Sequence, residues 1–422
     1  MSAEPAFLLD VSRLISRLGR GPATGIDRVE AEWLAHLSVT ATPHLLLARA
    51  RRAQLLLPAH AGDRIRQWLD GDMADLPKAA MLDRWRGRTS AAMRAEPLLR
   101  EMALLTSDRT GRGIADEALR RMGPDLAYLN VGHSNLDKRL WARLDPLLRV
   151  LMIHDTIPLD HPEFTRKGQS ERFRERFAGS VSQADGLLSI SEASRADLIR
   201  WRKALHLAET AAVTTAPIGT RLVPPDPSGL PEGLDLSRPF FVTLGTIEPR
   251  KNHALLLDAW EELARRLPAA RLPRLFIIGR RGWENHETFA RLDRLAPNGA
   301  VRELSGLDDA AVAALLDRCH ALLMPSRAEG FGLPLTEAAA RGVPVICSPL
   351  PVAREILGDY ARYLSADDHR AWAGSVSLLA GALPLRLSPL TVPQWQSHFD
   401  LVRGCVIEGL RARQLPGYAT RK

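Results

Sequence analysis

Glu329 and Glu337 are two carboxylates that flank the stretch Pro325-Ser-Arg-Ala-Glu-Gly-Phe-Gly-Leu-Pro-Leu-Thr-Glu337. An apolar run ends at Pro325, a glycine-containing turn follows, and Pro334 stands where the first turn of a helix tolerates proline. Gly330 and Gly332 let the backbone approach a ligand closely, and the N–H groups of a new helix favour an anion at the same spot. That is a seat for a phosphate. A carboxylate accepts several hydrogen bonds, which suits paired hydroxyls of a sugar or a ribose. Read without context, Glu337 equally complements a helix dipole, and the glycines merely turn the chain.

A second cluster is Leu244-Gly-Thr-Ile-Glu-Pro-Arg-Lys-Asn252, with Gly245 at the end of an apolar strand. Arg250 and Lys251 then lie on a loop entering a helix. Adjacent cations at the carboxyl edge of a strand suit a diphosphate, which gains charge as a leaving group departs. As an isolated pair they also read as two solvated bases. His154-Asp-Thr-Ile-Pro158 follows another apolar strand, as does Ser191-Glu-Ala-Ser-Arg195, and His133 follows Asn130-Val-Gly.

Taken together, the two clusters resemble the signature of glycosyltransferase family 4, retaining enzymes of the GT-B fold. The Glu-x7-Glu spacing of Glu329 and Glu337 fits that signature, and the resemblance continues through Gly342-Val-Pro-Val-Ile-Cys-Ser348 to Glu355. It implies that Arg250 and Lys251 hold the donor diphosphate, that Glu329 binds hydroxyls of the transferred sugar, and that Glu337 binds the nucleotide ribose. It further implies that the amides of Phe331, Gly332 and Leu333 touch sugar and phosphates beside Gly330. Ile278-Gly279-Arg280 and Ser305–Leu307 would lie near the base.

In the first half, Gly19-Arg-Gly-Pro-Ala-Thr-Gly25 resembles the family's glycine-rich loop, which closes over the diphosphate. It lies further past the first strand and lacks a tandem Gly-Gly, so Gly25 is the better match. His154 stands where the family carries an active-site histidine, able to donate to the sugar and orient the acceptor. Ser191 and Arg195 match a cleft element on the acceptor or phosphate side, and His133 is a further acceptor-side candidate. Asp70-Gly-Asp72 echoes the metal clamp of another glycosyltransferase fold, but it lacks a preceding apolar strand and reads as a surface turn. No metal or other cofactor is expected, because Arg250 and Lys251 supply the neutralising charge.

The elements that must position these residues follow from alternating short apolar runs and longer amphipathic segments, the pattern of a parallel sheet wrapped by helices. Strands are expected at Phe7–Val11, His44–Ala48, Gln54–Leu57, Leu126–Val131, Arg149–His154, Gly186–Ile190 and Ala212–Pro217. Leu222–Gly233 holds four prolines and two glycines in twelve residues, which excludes a helix or a central strand. The second half restarts the rhythm with strands at Phe240–Gly245, Leu275–Gly279, Ala321–Pro325 and Val343–Ser348. Helices are expected at His253–Leu267, Asp308–Leu316, Leu335–Arg341 and Trp395–Arg413. The expectation is an α/β chain with the GT-B fold: two Rossmann-like doubly wound domains facing across a cleft. The first covers 1–221, a linker covers 222–237, the donor domain covers 238–394, and a helix at 395–422 is able to cross back to the first domain. In such sheets ligands bind beyond the carboxyl ends of the strands.

The composition agrees with this size. At 422 residues the chain suits two cores. With 45% hydrophobic and 25% charged residues it falls outside the disordered class. No apolar run reaches membrane-spanning length, nothing reads as a signal peptide, and Cys319, Cys347 and Cys405 lack metal-like spacing. A cytoplasmic protein, resting on the inner face of a membrane, is the expected setting. The net charge of +8 favours anionic partners. Arg84–Arg112 holds seven arginines against three acids and, beyond Trp85, no aromatic. That is poor material for base stacking, so it reads as a solvated helix or a membrane-facing patch, and no nucleic-acid module is recognised.

The expected activity is retaining transfer of a hexose from a sugar nucleotide, GDP-mannose before others, to a glycan or lipid-linked acceptor of surface polysaccharide. A sugar-nucleotide epimerase of similar fold and a nucleic-acid-binding protein are the rival readings.

Overall fold

The computed structural model describes residues 4–21, 23–78, 89–209, 211–296 and 298–415. Arg84 and Trp85 of the arginine-rich window, and Pro22 of the glycine-rich loop, lie outside them. The N-terminal sheet comprises β1 (Ala6–Asp10), β2 (His44–Arg49), β3 (Gln54–Pro58), β4 (Leu105–Ser107), β5 (Leu126–Asn130), β6 (Leu148–Ile153), β7 (Gly186–Ser189) and β8 (Ala212–Thr215). Their order is β4-β3-β2-β1-β5-β6-β7-β8. The central strands carry continuous apolar runs because helices cover both faces of a parallel sheet; all five residues of β1 are buried. One face is filled by Phe7, Leu9, Trp33, Leu46 and Met152, the other by Leu8, Tyr128, Trp141 and Phe177.

This sheet is not wholly parallel, contrary to the simple alternating pattern. β3 runs antiparallel to both β2 and β4. Only the short segment 50–53 joins β2 to β3, too little chain for the crossover that parallel pairing demands.

The second sheet comprises β9 (Phe240–Leu244), β10 (Arg274–Ile278), β11 (Val301–Leu304), β12 (Leu322–Met324), β13 (Val345–Cys347) and β14 (Arg362–Tyr363). Its order is β11-β10-β9-β12-β13-β14, and every pair is parallel. Strands β9, β10 and β12 end at the loops that carry both motif clusters. β4, β11 and β14 have no counterpart in the sequence-based assignment; each is short and half-polar or only partly buried, so its periodicity is weak.

The chain crosses between the domains twice, and the crossings touch. Thr220 N–H donates to the carbonyl of Pro393 at 3.0 Å. Gly219 packs so tightly that a Cβ there would stand 2.3 Å from the backbone nitrogen of Trp395. The helix Trp395–Gln414 then lies on the N-terminal domain, with Phe399, Val402, Val406 and Leu410 joining its core. The proline-rich segment read as a linker is strapped to the C-terminal domain. Asp226 N–H bonds the carbonyl of Ala310 at 3.0 Å, and Leu230, Leu234 and Leu236 pack against the second sheet. Proline forbids ladder hydrogen bonds there but not apolar contact.

Candidate active site

The helix Leu333–Ala340 starts directly after the turn Glu329–Gly332, with Pro334 near its start and Gly332 in the left-handed region at φ 97°. Among the described residues no backbone carbonyl bonds the N–H groups of Phe331, Gly332 or Leu333. These donors point where a helix N-terminus favours an anion. The side chains do other work: Phe331 and Leu333 are buried in the hydrophobic cluster of the opposite, N-terminal domain. The turn is thus a plug that joins the two domains.

Gly330 sits at the seam. A Cβ there would lie 2.8 Å from the carbonyl oxygen of His154, so the two loops meet backbone to backbone. Ser194 Oγ lies 3.1 Å from the carbonyls of both His154 and Gly330.

Glu329 is the most heavily partnered carboxylate of the site. Lys251 Nζ stands 2.5 Å from Oε1, Arg250 Nη1 2.8 Å from Oε2, and Ser326 Oγ donates to Oε1 at 2.7 Å. Burial alone would raise this carboxyl, but Lys251 and Arg250 outweigh it and hold it down to about 2. For Arg250, Glu329, Glu248 and Asp155 overcome burial and keep the guanidinium firmly charged. Glu248, itself buried, pairs with Arg250 Nε at 2.5 Å. It lies inside the Gly-Thr-Ile-Glu-Pro-Arg-Lys-Asn motif but was assigned no role from sequence. Ser326 was missed for the same reason, since one hydroxyl in a loop carries no pattern. Burial lowers Lys251, and Glu329 restores it only in part.

The loop geometry explains why both cations face inward. Pro249–Lys251 forms one turn of 3-10 helix, and Asn252 enters the left-handed region at φ 56°. Asn252 Nδ2 bridges the carbonyls of Pro325 and Ala366 at 3.2 and 2.8 Å, tying this loop to the loops after β12 and β14. Gly245, at φ 132°, leaves room for the lysine: a Cβ there would meet Lys251 Cε at 3.2 Å. A Cβ on Gly279 would lie 2.0 Å from the carbonyl oxygen of Gly245. Glycine is therefore required where β9 and β10 end side by side.

Glu337 is mostly buried and takes a hydrogen bond from Arg28 Nη1 at 2.6 Å. Arg28 belongs to the helix Gly25–Val39 of the other domain. That helix is anchored by Asp27, which accepts from Thr24 N–H at 2.7 Å and Arg13 Nε at 2.6 Å. Gly25 at its start faces Leu333, with 3.9 Å from a Cβ to Leu333 Cδ1. The glycine-rich loop does reach the seam, and Arg20 in it accepts a bond from Arg280 Nη1 at 3.1 Å through its carbonyl.

The N-terminal side of the cleft collects groups from the ends of β1, β5 and β6. His154 is buried, and its Nε2–H donates to the carbonyl of Val131 at 2.6 Å. Burial pushes its imidazole down to about 4, so at neutral pH Nδ1 carries a lone pair and accepts. The Nε2–H, the ring donor, is thus already bonded to the Val131 carbonyl in this geometry. His133 lies beside it, ring centroids 5.5 Å apart, and burial keeps it neutral too. Beneath them, burial raises the carboxyls of Asp10 and Glu30. Asp10 accepts from Tyr128 and Asn135 at 2.9 and 2.8 Å.

Two acceptor-side candidates, Ser191 and Arg195, make contacts within the protein. Ser191 is fully buried; its Oγ accepts from Ser194 N–H at 3.0 Å as an N-cap and lies 3.4 Å from the carbonyl of Gly330. Arg195 turns to the Val213 carbonyl at 3.3 Å and to Glu192. Glu355 crosses from the C-terminal domain to cap that same helix, accepting from Glu192 and Ala193 N–H at 2.7 and 2.9 Å. Asp70 and Asp72 are exposed at a helix end, with Gly71 at φ 97°, as a surface turn requires. No group of residues suited to a metal occurs among the described residues, and no described helix is long and apolar enough to cross a membrane.

Comparison with known proteins finds similarity to glycosyltransferases. Residues 231–379 match the family model described as Glycosyl transferases group 1. The serotype-specific mannosyltransferase WbdA of Escherichia coli is 33% identical over 281 residues, 62% of this chain and 34% of that protein. The chain thus spans about a third of the length of that relative. The O-antigen chain mannosyltransferase B of Escherichia coli is 28% identical over 343 residues, 80% of this chain and 82% of that one. Among solved structures, sucrose-phosphate synthase from Thermosynechococcus elongatus aligns with a TM-score of 0.60 at 14% identity, covering 97% of this chain and 100% of that one. Anabaena HepE in complex with UDP-glucose aligns with a TM-score of 0.55 at 13% identity, covering 96% and 97%. These two show the fold alone. Two facing Rossmann-like sheets with an Arg-Lys-Glu cluster at their seam make the GT-B fold, and residues 231–379 are similar to the group 1 glycosyltransferases.

Proposed function

We propose that the protein transfers mannose from GDP-mannose, with retention at the anomeric carbon, to a growing or lipid-linked glycan of a cell-surface polysaccharide. The observation that carries the transfer chemistry is the pair Arg250, half-buried, and Lys251, buried, both on Glu329 near the N–H groups of Phe331, Gly332 and Leu333, which no backbone carbonyl takes among the described residues. A departing diphosphate needs charge neutralisation, and preorganised cations in a water-poor cleft provide it without reorganisation. Glu329, kept ionised, accepts sugar hydroxyls, and Glu337 accepts those of the ribose. His154 contributes an acceptor at Nδ1 and a backbone carbonyl at the seam.

For the chemistry, the bond from the anomeric carbon to the diphosphate breaks while the acceptor oxygen attacks from the same face. The acceptor's proton passes to a donor phosphate oxygen, and no side chain forms a covalent adduct. Trapping a sugar–enzyme adduct would refute this route. The choice of mannose and of a surface-glycan acceptor is supported by the names of the Escherichia coli relatives. The net charge of +8 supports contact with an anionic membrane surface.

The deciding experiment is a thermal-shift titration against GDP-mannose, UDP-glucose, GDP and UDP, repeated with Glu329→Ala and Lys251→Ala. A ligand that binds only the native state raises the melting temperature. The expected result is a shift selective for guanine nucleotides that both variants weaken; selectivity for uridine nucleotides would overturn the donor.

A further inference from the structure

We propose that Arg28, from the N-terminal domain, is a positioning residue for the ribose of the donor, which it serves by holding Glu337 from across the cleft. The inference rests on the reading above that Glu337 meets the ribose. Arg28 forks between two carboxylates of the other domain: Nη1 lies 2.6 Å from Glu337 Oε1, and Nη2 lies 2.7 Å from Asp309 Oδ1. Three helices converge there, Gly25–Val39 from one domain and Asp309–Leu316 and Leu333–Ala340 from the other. A planar guanidinium that binds two acceptors at once fixes both in orientation, which a lysine cannot do.

Glu337 needs such a partner. Burial raises its carboxyl and Arg28 opposes that rise; a protonated carboxyl would offer fewer acceptor sites to hydroxyls. Oε1 is committed to Arg28. No hydrogen bond to Oε2 is made among the described residues, so that oxygen remains for a vicinal diol. The other cross-seam contacts do not touch Glu337: Thr220 Oγ1 bonds Thr336 Oγ1 at 2.8 Å, and Glu355 caps the helix at Glu192. Among the described residues, Arg28 alone links the docking of the N-terminal domain to the state of this carboxylate. Nucleotide binding and domain closure are then coupled, since each favours the same arrangement.

The test uses the full chain and isothermal titration with GDP and 2′-deoxy-GDP, and with UDP and 2′-deoxy-UDP, in the wild type, Arg28→Ala, Arg28→Lys and Asp309→Asn. The wild type is expected to prefer the ribonucleotide. Arg28→Ala should weaken ribonucleotide binding by about tenfold, the scale of one lost charged hydrogen bond, and should erase most of the preference over the deoxy form. Arg28→Lys should recover part of it, and Asp309→Asn should leave the preference in place. Equal weakening of both nucleotides in Arg28→Ala would make Arg28 a mere clasp and overturn the inference while leaving the proposed function standing. Loss of the preference in Asp309→Asn would overturn it as well. A wild type that binds no nucleotide would overturn both readings.

Discussion

Gly330 meets His154 so closely that a Cβ on the glycine would lie 2.8 Å from the histidine's carbonyl oxygen. One residue ends a strand of the N-terminal sheet and the other sits in the turn after β12. Their contact sets how near the two halves of the site can come.

Gly330→Ala is therefore expected to hold the domains a few tenths of an ångström apart without unfolding either. Misplacement of reacting groups by about 1 Å costs about a hundredfold in rate, so a few tenths of an ångström is expected to cost about threefold to tenfold. Sugar-nucleotide turnover should fall by that order while the circular-dichroism spectrum stays unchanged. Full turnover in the variant would mean that the closed seam is not the working geometry.

Glu329→Gln removes the charge that compensates two cations. Arg250 keeps Glu248, but Lys251 is left buried beside a neutral amide. Breaking a buried ion pair costs about 3 kcal/mol or more, visible as a lower denaturant midpoint. The carboxyl at about 2 adds a pH signature. Its stabilisation is complete above about pH 4.5, the ordinary value, and is lost as pH falls toward 2.

Acid sensitivity should start earlier, at the histidines. Burial holds His154 and His398 at about 4, below the ordinary 6.5. The unfolded chain takes up protons between those values that the folded chain refuses, so stability is full above 6.5 and declines as pH falls toward 4. His398 accepts from Trp33 Nε1 at 3.1 Å and donates through Nδ1 to the carbonyl of Ala216 at 3.1 Å. Protonation breaks the Trp33 bond and loosens the last helix. Urea midpoints measured at about pH 7.5, 6 and 5 should show a smaller slope in His398→Gln than in the wild type. An unchanged slope would place the proton uptake elsewhere.

Gly219→Ala tests the paired crossings. The new methyl would meet the backbone of Trp395 at 2.3 Å, where neither chain has a flexible end to yield. Overpacking of this kind costs about 1–3 kcal/mol. The loss should appear as a lower melting temperature and as faster proteolysis of the segment before Trp395.

What the sequence by itself determined was the local chemistry and the two-domain rhythm. Apolar runs bounded by Gly and Pro placed most strands within a residue or two, because burial on both faces of a parallel sheet leaves a continuous apolar signal. The cations at Arg250 and Lys251 and the carboxylates at Glu329 and Glu337 were legible as chemistry because each cluster is short in sequence and follows a strand end. The tertiary structure alone decided what those groups touch. Arg28 and Glu337 lie in different domains, and the Glu329 cluster is assembled from two loops on separate strands, so no periodicity reports either contact. His154 could be found as a strand-end histidine, but its role turned on the Val131 carbonyl, which takes the proton of Nε2 and leaves Nδ1 to accept. Ser191 looked like cleft chemistry and became a helix cap for the same reason: a hydroxyl's role is set by the nearest backbone group, and only folding brings that group into reach.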